Sequence, residues 1–437
     1  MPRIKILDLF CGMGGLSLGF VLGLENAEIL GLDIDKYAVE TYNYNLNRLN
    51  AEAKVQDILR WESRGEYDII IAGSPCQPFS TANVKKRGRE HPLYPTFPRF
   101  FDIVLELRPK VFLLENVKGL TTRRHRPLLE EQLKRVELHY RIRYQVLNAA
   151  YYGVPQRRER LFVLGIRKDL GIQPSFPPPT HAEEERVTLD GKLHRWVTVR
   201  EAIGDLLLIP PQGNTLTYRQ TERIRRERED TLRHFAKMEF PDNLDKPSRT
   251  ISSHTVEGTK RETIVVPITE HVMTEKGGWS NPKSDWGSRV MPEDKPSYTI
   301  TEKHRSGQLV ELPSLAWLKK HPPAELNMPS NTIASNVGKN KKWVCNSVVV
   351  EGKYRRLTVR ECLRLQSFPD WWSFPNSIST SRKYKLVGEA VPPALAYRLA
   401  THIGKLMGWK VREPPKEEEW QLPYFSRMFA DYEKGSR

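Results

Sequence analysis

Ile4-Lys5-Ile6-Leu7-Asp8-Leu9-Phe10-Cys11-Gly12-Met13-Gly14-Gly15-Leu16 opens the chain with a strand-like apolar run that passes at once into a glycine turn and a helix-like stretch. Such a turn lets a nucleotide-bearing ligand approach the backbone and meet the positive start of the helix. A second apolar run, residues 28–32, ends at Asp33, about where a ribose-binding carboxylate stands in a nucleotide-binding unit. Asp57-Ile58 follows another short apolar stretch and suits the exocyclic amine of an adenine. The full G-x-G-x-x-G/A signature is absent, so a dinucleotide is the poorer fit. Strand-like runs alternate with helical patterns up to about Arg167, which reads as an α/β fold with a doubly wound, mostly parallel sheet.

Chemistry gathers at the ends of the later strands. Residues 73–80 read GSPCQPFS and follow the apolar run Asp68-Ile69-Ile70-Ile71-Ala72, which puts Cys76 on a tight loop at the carboxyl edge of a buried strand. A lone cysteine is more often a small buried hydrophobe. Here free backbone N–H groups and basic neighbours would lower the thiol pKa, making Cys76 a candidate nucleophile. Lys110-Val111-Phe112-Leu113-Leu114 leads into Glu115-Asn116-Val117, and Gln156-Arg157-Arg158-Glu159-Arg160 precedes the strand-like residues 161–166. In an open parallel sheet, ligand and chemistry meet outside the carboxyl ends of the strands, where Cys76 and Glu115 would come together.

Taken in order, these segments resemble the motifs of the DNA (cytosine-5) methyltransferases. DLFCGMGG is similar to the S-adenosylmethionine loop, Asp33-Ile34-Asp35 to the ribose motif and Asp57-Ile58 to the adenine motif. SPCQPFS resembles the nucleophile motif, ENV the cytosine-binding acid and QRRER the arginine motif. Residues 356–369, RLTVRECLRLQSFP, match the family's ninth motif, and residues 388–393, GEAVPP, its tenth.

The resemblance implies a class I, Rossmann-like methyltransferase fold carrying a second, smaller β-rich target recognition domain. It implies S-adenosyl-L-methionine as cofactor, bound by Phe10, Gly12, Gly14, Gly15, Asp33, Ile34, Asp57, Ile58, Pro75 and Glu389. It implies that a thiolate from Cys76 adds to C6 of a flipped-out cytosine. Glu115, kept protonated, would then serve N3, and Arg160, supported by Arg158, the O2 carbonyl. The activity follows as methylation of C5 within a specific duplex sequence, either as the modification enzyme of a restriction–modification system or as an orphan methylase. A cofactor-retaining protein that binds DNA without methylating it, and an RNA cytosine-5 methyltransferase, are the alternatives.

Composition agrees with a nucleic-acid partner. The formal net charge of +16 over 437 residues favours binding to double-stranded DNA, for which Ser80, Lys85, Lys86, Arg87, Ser252, Ser253, Thr301 and Ser335 are the candidate contacts. The last four follow three related segments, DKPSRTI at 245–251, DKPSYTI at 294–300 and NMPSNTI at 327–333. Each reads as a proline turn leading into a Thr/Ile strand. Cys11, Cys76, Cys345 and Cys362 form no CxxC pair, so neither a metal site nor a disulfide framework is expected. No apolar run has membrane-helix length and no signal peptide is visible, so the expectation is a cytoplasmic, nucleoid-associated protein, monomeric on DNA, with a cognate restriction endonuclease as its further partner.

The proline-rich stretch 173–179 marks a linker. The expected division is a catalytic and cofactor-binding domain over 1–178 and a target recognition domain over 179–354. Motifs over 355–412 return to the cleft, and a peripheral tail occupies 413–437. Two departures stand out: Glu389 occupies the position where the family usually has asparagine, and Cys11 a position where alanine or serine is common.

Overall fold

Five consecutive residues, Ile69-Ile70-Ile71-Ala72-Gly73, set the centre of the architecture, because four of them are fully buried with alternate side chains in two different cores. A strand covered on both faces needs apolar residues at every position, and that is the mark of a parallel sheet sandwiched between helices. In the computed structural model, which describes residues 3–80, 88–188, 191–207, 264–265, 330–331, 347–350, 353–414 and 416–429, this strand lies in a seven-stranded sheet.

The strands are β1 (Ile4–Leu9), β2 (Ala27–Asp33), β3 (Ala51–Val55), β4 (Ile69–Gly73), β5 (Val111–Val117), β6 (Tyr140–Asn148), β7 (Gln156–Arg157) and β8 (Glu159–Arg167). The sheet runs in the order β3-β2-β1-β4-β5-β8-β6, with β7 outside it. β8 pairs antiparallel with both β5 and β6; the other pairings are parallel. The strand order reverses between β1 and β4, so the loops after these two strands open on one crevice. The expected doubly wound sheet is therefore present.

One face packs on α1 (Gly15–Gly23) and α2 (Lys36–Leu46), the other on α3 (Thr96–Leu107) and α4 (Arg126–Val136). A further helix, α5 (Val199–Leu207), is followed much later in the chain by α6 (Val359–Leu365), α7 (Thr380–Glu389) and α8 (Pro393–Leu406). These last three return to the first face. α6 begins at a reciprocal cap: Thr358 N–H donates to Glu361 Oε2 at 2.6 Å, and Glu361 N–H to Thr358 Oγ1 at 3.2 Å. α8 lies against α1, and Gln366 Nε2 donates to Val387 O at 2.8 Å to join α6 to α7.

The tail differs from the sequence expectation. Residues 416–429 are not peripheral: Trp420, Leu422, Tyr424 and Met428 are buried in the first core. His181 Nε2 donates to Arg427 O at 2.8 Å, and Tyr424 O–H bonds to Arg364 O. Several aromatic side chains in one short segment bury enough apolar surface to hold it, which outweighs the charged run at 416–419. The Trp371–Trp372 pair packs as well, with Trp372 fully buried and the Arg48 guanidinium over the Trp371 ring at 4.5 Å. Most of the expected recognition domain lies outside the described residues, among them Ser252, Ser253, Thr301 and Ser335, and so do Lys85, Lys86 and Arg87.

Candidate active site and cofactor cleft

Strand register assembles the site. Leu9 of β1 stands beside Ala72 of β4, and Gly73, the last residue of β4, stands beside Glu115 of β5. Val117 of β5 pairs with Arg160 of β8, so the nucleophile loop, the acid and the arginine emerge at one sheet edge. Arg160 Nε meets Glu115 Oε1 at 3.0 Å, with little of either side chain exposed.

Cys76 is half-buried on the loop that follows β4. Its carbonyl accepts from Phe79 N–H at 3.0 Å and Ser80 N–H at 2.9 Å, which folds the loop back on itself with Ser80 at its half-buried end and Pro75 before it. Asn116 fastens that loop to β5, donating from Nδ2 to Ser74 Oγ at 2.7 Å. Sequence reading passed over Asn116; a polar residue beside Glu115 inside an otherwise apolar strand was the available signal.

The electrostatics correct one expectation. Burial pushes the Cys76 thiol up, and Glu115 and Glu389 add to that, while Arg160 and Arg158 pull the other way without prevailing. Two of the loop amides that were expected to depress its pKa, those of Phe79 and Ser80, donate instead to the Cys76 carbonyl. Glu115 is pushed up by burial against the pull of Arg160 and Arg158, which favours the protonated acid that the chemistry asks for.

Arg158 departs from the supporting contact expected of it. It is fully buried and gives both terminal nitrogens to Gly388 O, each at 3.2 Å. Its guanidinium thus clamps the end of α7. Burial first, and the neighbouring Arg160 second, bring its pKa down to about 9.

The cofactor residues divide into those that line the cleft and those that shape it. Asp33 Oδ2 accepts from Gly12 N–H at 2.9 Å and Oδ1 from Asp35 N–H at 2.8 Å, which orients the carboxylate while leaving lone pairs for hydroxyl donors. Burial raises the Asp33 pKa against those two bonds. Beside it Ile34 is 69% exposed, an apolar shelf at a strand end. Gly12 has φ +55, and a Cβ there would meet nothing within 4 Å, so the loop leaves open space at that point. Phe10 adopts φ 58, strained for a non-glycine residue.

Gly14 and Gly15 also serve packing. Their missing Cβ atoms would clash with Leu46 Cδ1 at 2.6 Å and Val391 O at 2.1 Å. Ile58 is likewise a core residue, 3% exposed, and Asp57, half-buried, accepts from Leu59 N–H at 3.0 Å. Glu389 ends α7 across the cleft, its carboxyl raised by burial and by Asp33 and Asp35 against Lys385, which approaches it at 3.5 Å. Arg382 and Lys385 reach Asp35 at 3.0 and 3.4 Å and pin α7 to the end of β2. A carboxylate beside an apolar shelf, next to an unfilled glycine cradle, fits a nucleoside: the carboxylate suits its hydroxyls and the shelf its flat ring. Among the described residues no cluster of His, Cys, Asp or Glu could hold a metal ion, and no helix is long and apolar enough to cross a membrane.

Comparison with known proteins agrees with this geometry. A family model described as C-5 cytosine-specific DNA methylase matches residues 4–405. The chain is 31% identical over 405 residues to the Type II methyltransferase M.FnuDI of Fusobacterium nucleatum, covering 92% of this chain and 94% of that one. It is 29% identical over 408 residues to the Type II methyltransferase M.MthTI of Methanothermobacter thermautotrophicus, covering 92% and 98%. In fold it is similar to the crystal structure of the S. pombe Dnmt2 methyltransferase, with a TM-score of 0.55 at 14% identity over 93% of this chain and 100% of that one.

Proposed function

The chain belongs to the C-5 cytosine-specific DNA methylase family, and from that premise we propose how its own residues carry out the reaction of a DNA cytosine-5 methyltransferase. Cys76 adds as a thiolate to C6 of an extruded cytosine, which makes C5 nucleophilic. Glu115 donates its proton toward N3, where negative charge gathers, and Arg160 holds Glu115 while presenting donors toward O2. After C5 has taken the methyl group, loss of the C5 proton to solvent expels the sulfur as thiolate and restores the aromatic ring. S-adenosyl-L-methionine, when bound, supplies the electrophilic methyl group; Asp33, Ile34 and the Gly12 turn would hold its nucleoside, with Phe10, Asp57, Pro75 and Glu389 around it.

The observation that carries this reading is the Arg160–Glu115 contact at 3.0 Å, on the strand edge that also presents Cys76. The naming of the relatives as Type II methyltransferases supports a modification role, with a cognate restriction endonuclease or as an orphan methylase; that the protein works as a monomer on DNA in the cytoplasm is part of the same proposal. The domain division is proposed on the same footing, with recognition assigned to 179–354, except that 416–429 belongs to the catalytic body.

The test is a duplex carrying 5-fluorocytosine at the target position, incubated with the methyl donor. Fluorine cannot leave as a proton does, so the protein should run as a covalent adduct on a denaturing gel, and Cys76→Ala should show none. No adduct with the wild-type protein, on DNA that it does methylate when unfluorinated, overturns the covalent mechanism.

A further inference from the structure

We propose that residues 121–126, the turn that follows β5, form a seat for the phosphate backbone of duplex DNA beside the catalytic cleft, with Arg123 and Arg124 as its phosphate-contacting residues. The inference rests on the DNA-methylating function and extends it to a site outside the described catalytic and cofactor residues.

β5 carries Glu115 and ends at Val117, and Lys118–Thr121 forms a single 3-10 turn at the same sheet edge. The turn is built directly on the nucleophile loop, since a Cβ on Gly119 would lie 2.1 Å from Phe79 O. His125 is buried with its ring edge-on to Phe79 at 5.7 Å between centroids. Gly88 N–H donates to Pro78 O at 2.8 Å, and a Cβ on Gly88 would lie 3.9 Å from His125 Cδ2. His125 therefore sits between the two described stems of the nucleophile loop.

Thr122 Oγ1 donates to Gly119 O at 2.7 Å. Thr122 O in turn accepts from His125 N–H at 2.9 Å and Arg126 N–H at 2.8 Å. These bonds hold the backbone on both sides of Arg123 and Arg124, so less ordering remains to be done when the turn meets a ligand.

The neighbouring cations are already matched: Lys118 to Glu159 at 3.0 Å, Arg126 to Glu130 at 2.8 Å, and Arg89 to Glu131. Arg123 and Arg124 are exposed and make no ion pair among the described residues. A solvated charge run commonly mixes signs or lies on a mobile segment; here two unmatched guanidinium groups stand on a braced turn, on the side where a duplex must approach to deliver its cytosine to Cys76. Guanidinium donors match phosphate oxygens and read no base, so the contact positions the duplex without specifying sequence.

Binding of the full-length protein to a cognate and an unrelated duplex, followed by fluorescence anisotropy between about 50 and 200 mM salt, tests this. Arg123→Ala with Arg124→Ala should lower the slope of log affinity against log salt by about 1.8, at about 0.9 per lost phosphate contact, and weaken both duplexes alike. The paired lysine substitutions should keep most of the slope, and thermal unfolding of the alanine variant should match wild type. An unchanged slope in the alanine variant, or a loss confined to the cognate duplex, overturns the inference. If the wild-type protein fails to bind DNA or to methylate it, the underlying function falls instead, and the two failures are told apart by the wild-type control.

Discussion

Two buried arginines are treated in opposite ways. Arg364, on α6, lies between two acids: it donates to Asp205 at 2.6 and 2.7 Å, and to Asp370 at 2.8 and 2.6 Å. Although burial lowers it, the bonds to Asp370 and Asp205 carry its pKa above the ordinary value. Arg158, at the catalytic edge, has a carbonyl where Arg364 has carboxylates, and its Nε finds no hydrogen-bond partner among the described residues. The scaffold neutralises its buried charge in place. The catalytic edge instead gathers Arg158, Arg160, Glu115 and Cys76 in a cluster that is only partly balanced, with both acids pushed up and one base pushed down. Uncompensated charge is costly to fold around, and it persists where a substrate is to meet it.

That contrast can be broken or sharpened by substitution. The largest effect belongs to the catalytic edge: Glu115→Gln should lower the methyl-transfer rate by about 10²- to 10⁴-fold, measured with radiolabelled donor on duplex DNA, because an amide has no proton to give N3. Arg364→Ala should cost stability, by about 3 kcal/mol in denaturant unfolding, since it leaves the partly buried Asp370 only the more distant Arg360, at 3.9 Å. Arg158→Met should cost less, about 1 to 2 kcal/mol, because it removes a buried charge and leaves only the Gly388 carbonyl without its donors. Its transfer rate should nevertheless fall, as the end of α7 loses its clamp. Equal destabilisation by the two arginine substitutions would erase the distinction.

A last effect, read in the pH profile alone, concerns Asp8, fully buried in β1, whose Oδ2 accepts from Ser17 Oγ at 2.6 Å while Tyr42 O–H donates to Ser17 Oγ at 2.8 Å. Burial raises its pKa to about 8, far above the value in an unfolded chain. The native state then holds this proton more tightly than the unfolded state. Its stabilising contribution is complete below the unfolded value and is lost as pH rises toward 8. Asp8→Asn should flatten the fall of melting temperature between pH 5 and 8, and an unaltered pH profile would remove Asp8 from this group of unbalanced charges.

How much of the protein was legible beforehand follows from the range of the forces involved. The strand β4 was readable because complete burial demands an unbroken apolar run, and Cys76, Glu115 and Arg160 were readable because they stand next to the ends of such runs within recognisable motifs. Asn116 was missed because a single amide within a strand has no pattern to betray it. Gly14 and Gly15 read as cofactor glycines, yet the space they vacate is taken by Leu46 and by the backbone of Val391, the latter a residue near the far end of the chain. The tail over 413–437 read as peripheral, while the aromatic residues of 416–429 pack into a core built with residues of α5 and α6, far away in sequence.

The amino-acid sequence on its own determined the layering of the sheet, the position of the reactive loop and the family's order of motifs, because these depend on local periodicity and short spacing. Tertiary structure alone decided which arginine faces the acid and which grips a carbonyl, and why the free thiol is raised. Those outcomes depend on how far water is excluded and on which distant backbone arrives alongside, and neither is written in the neighbouring residues.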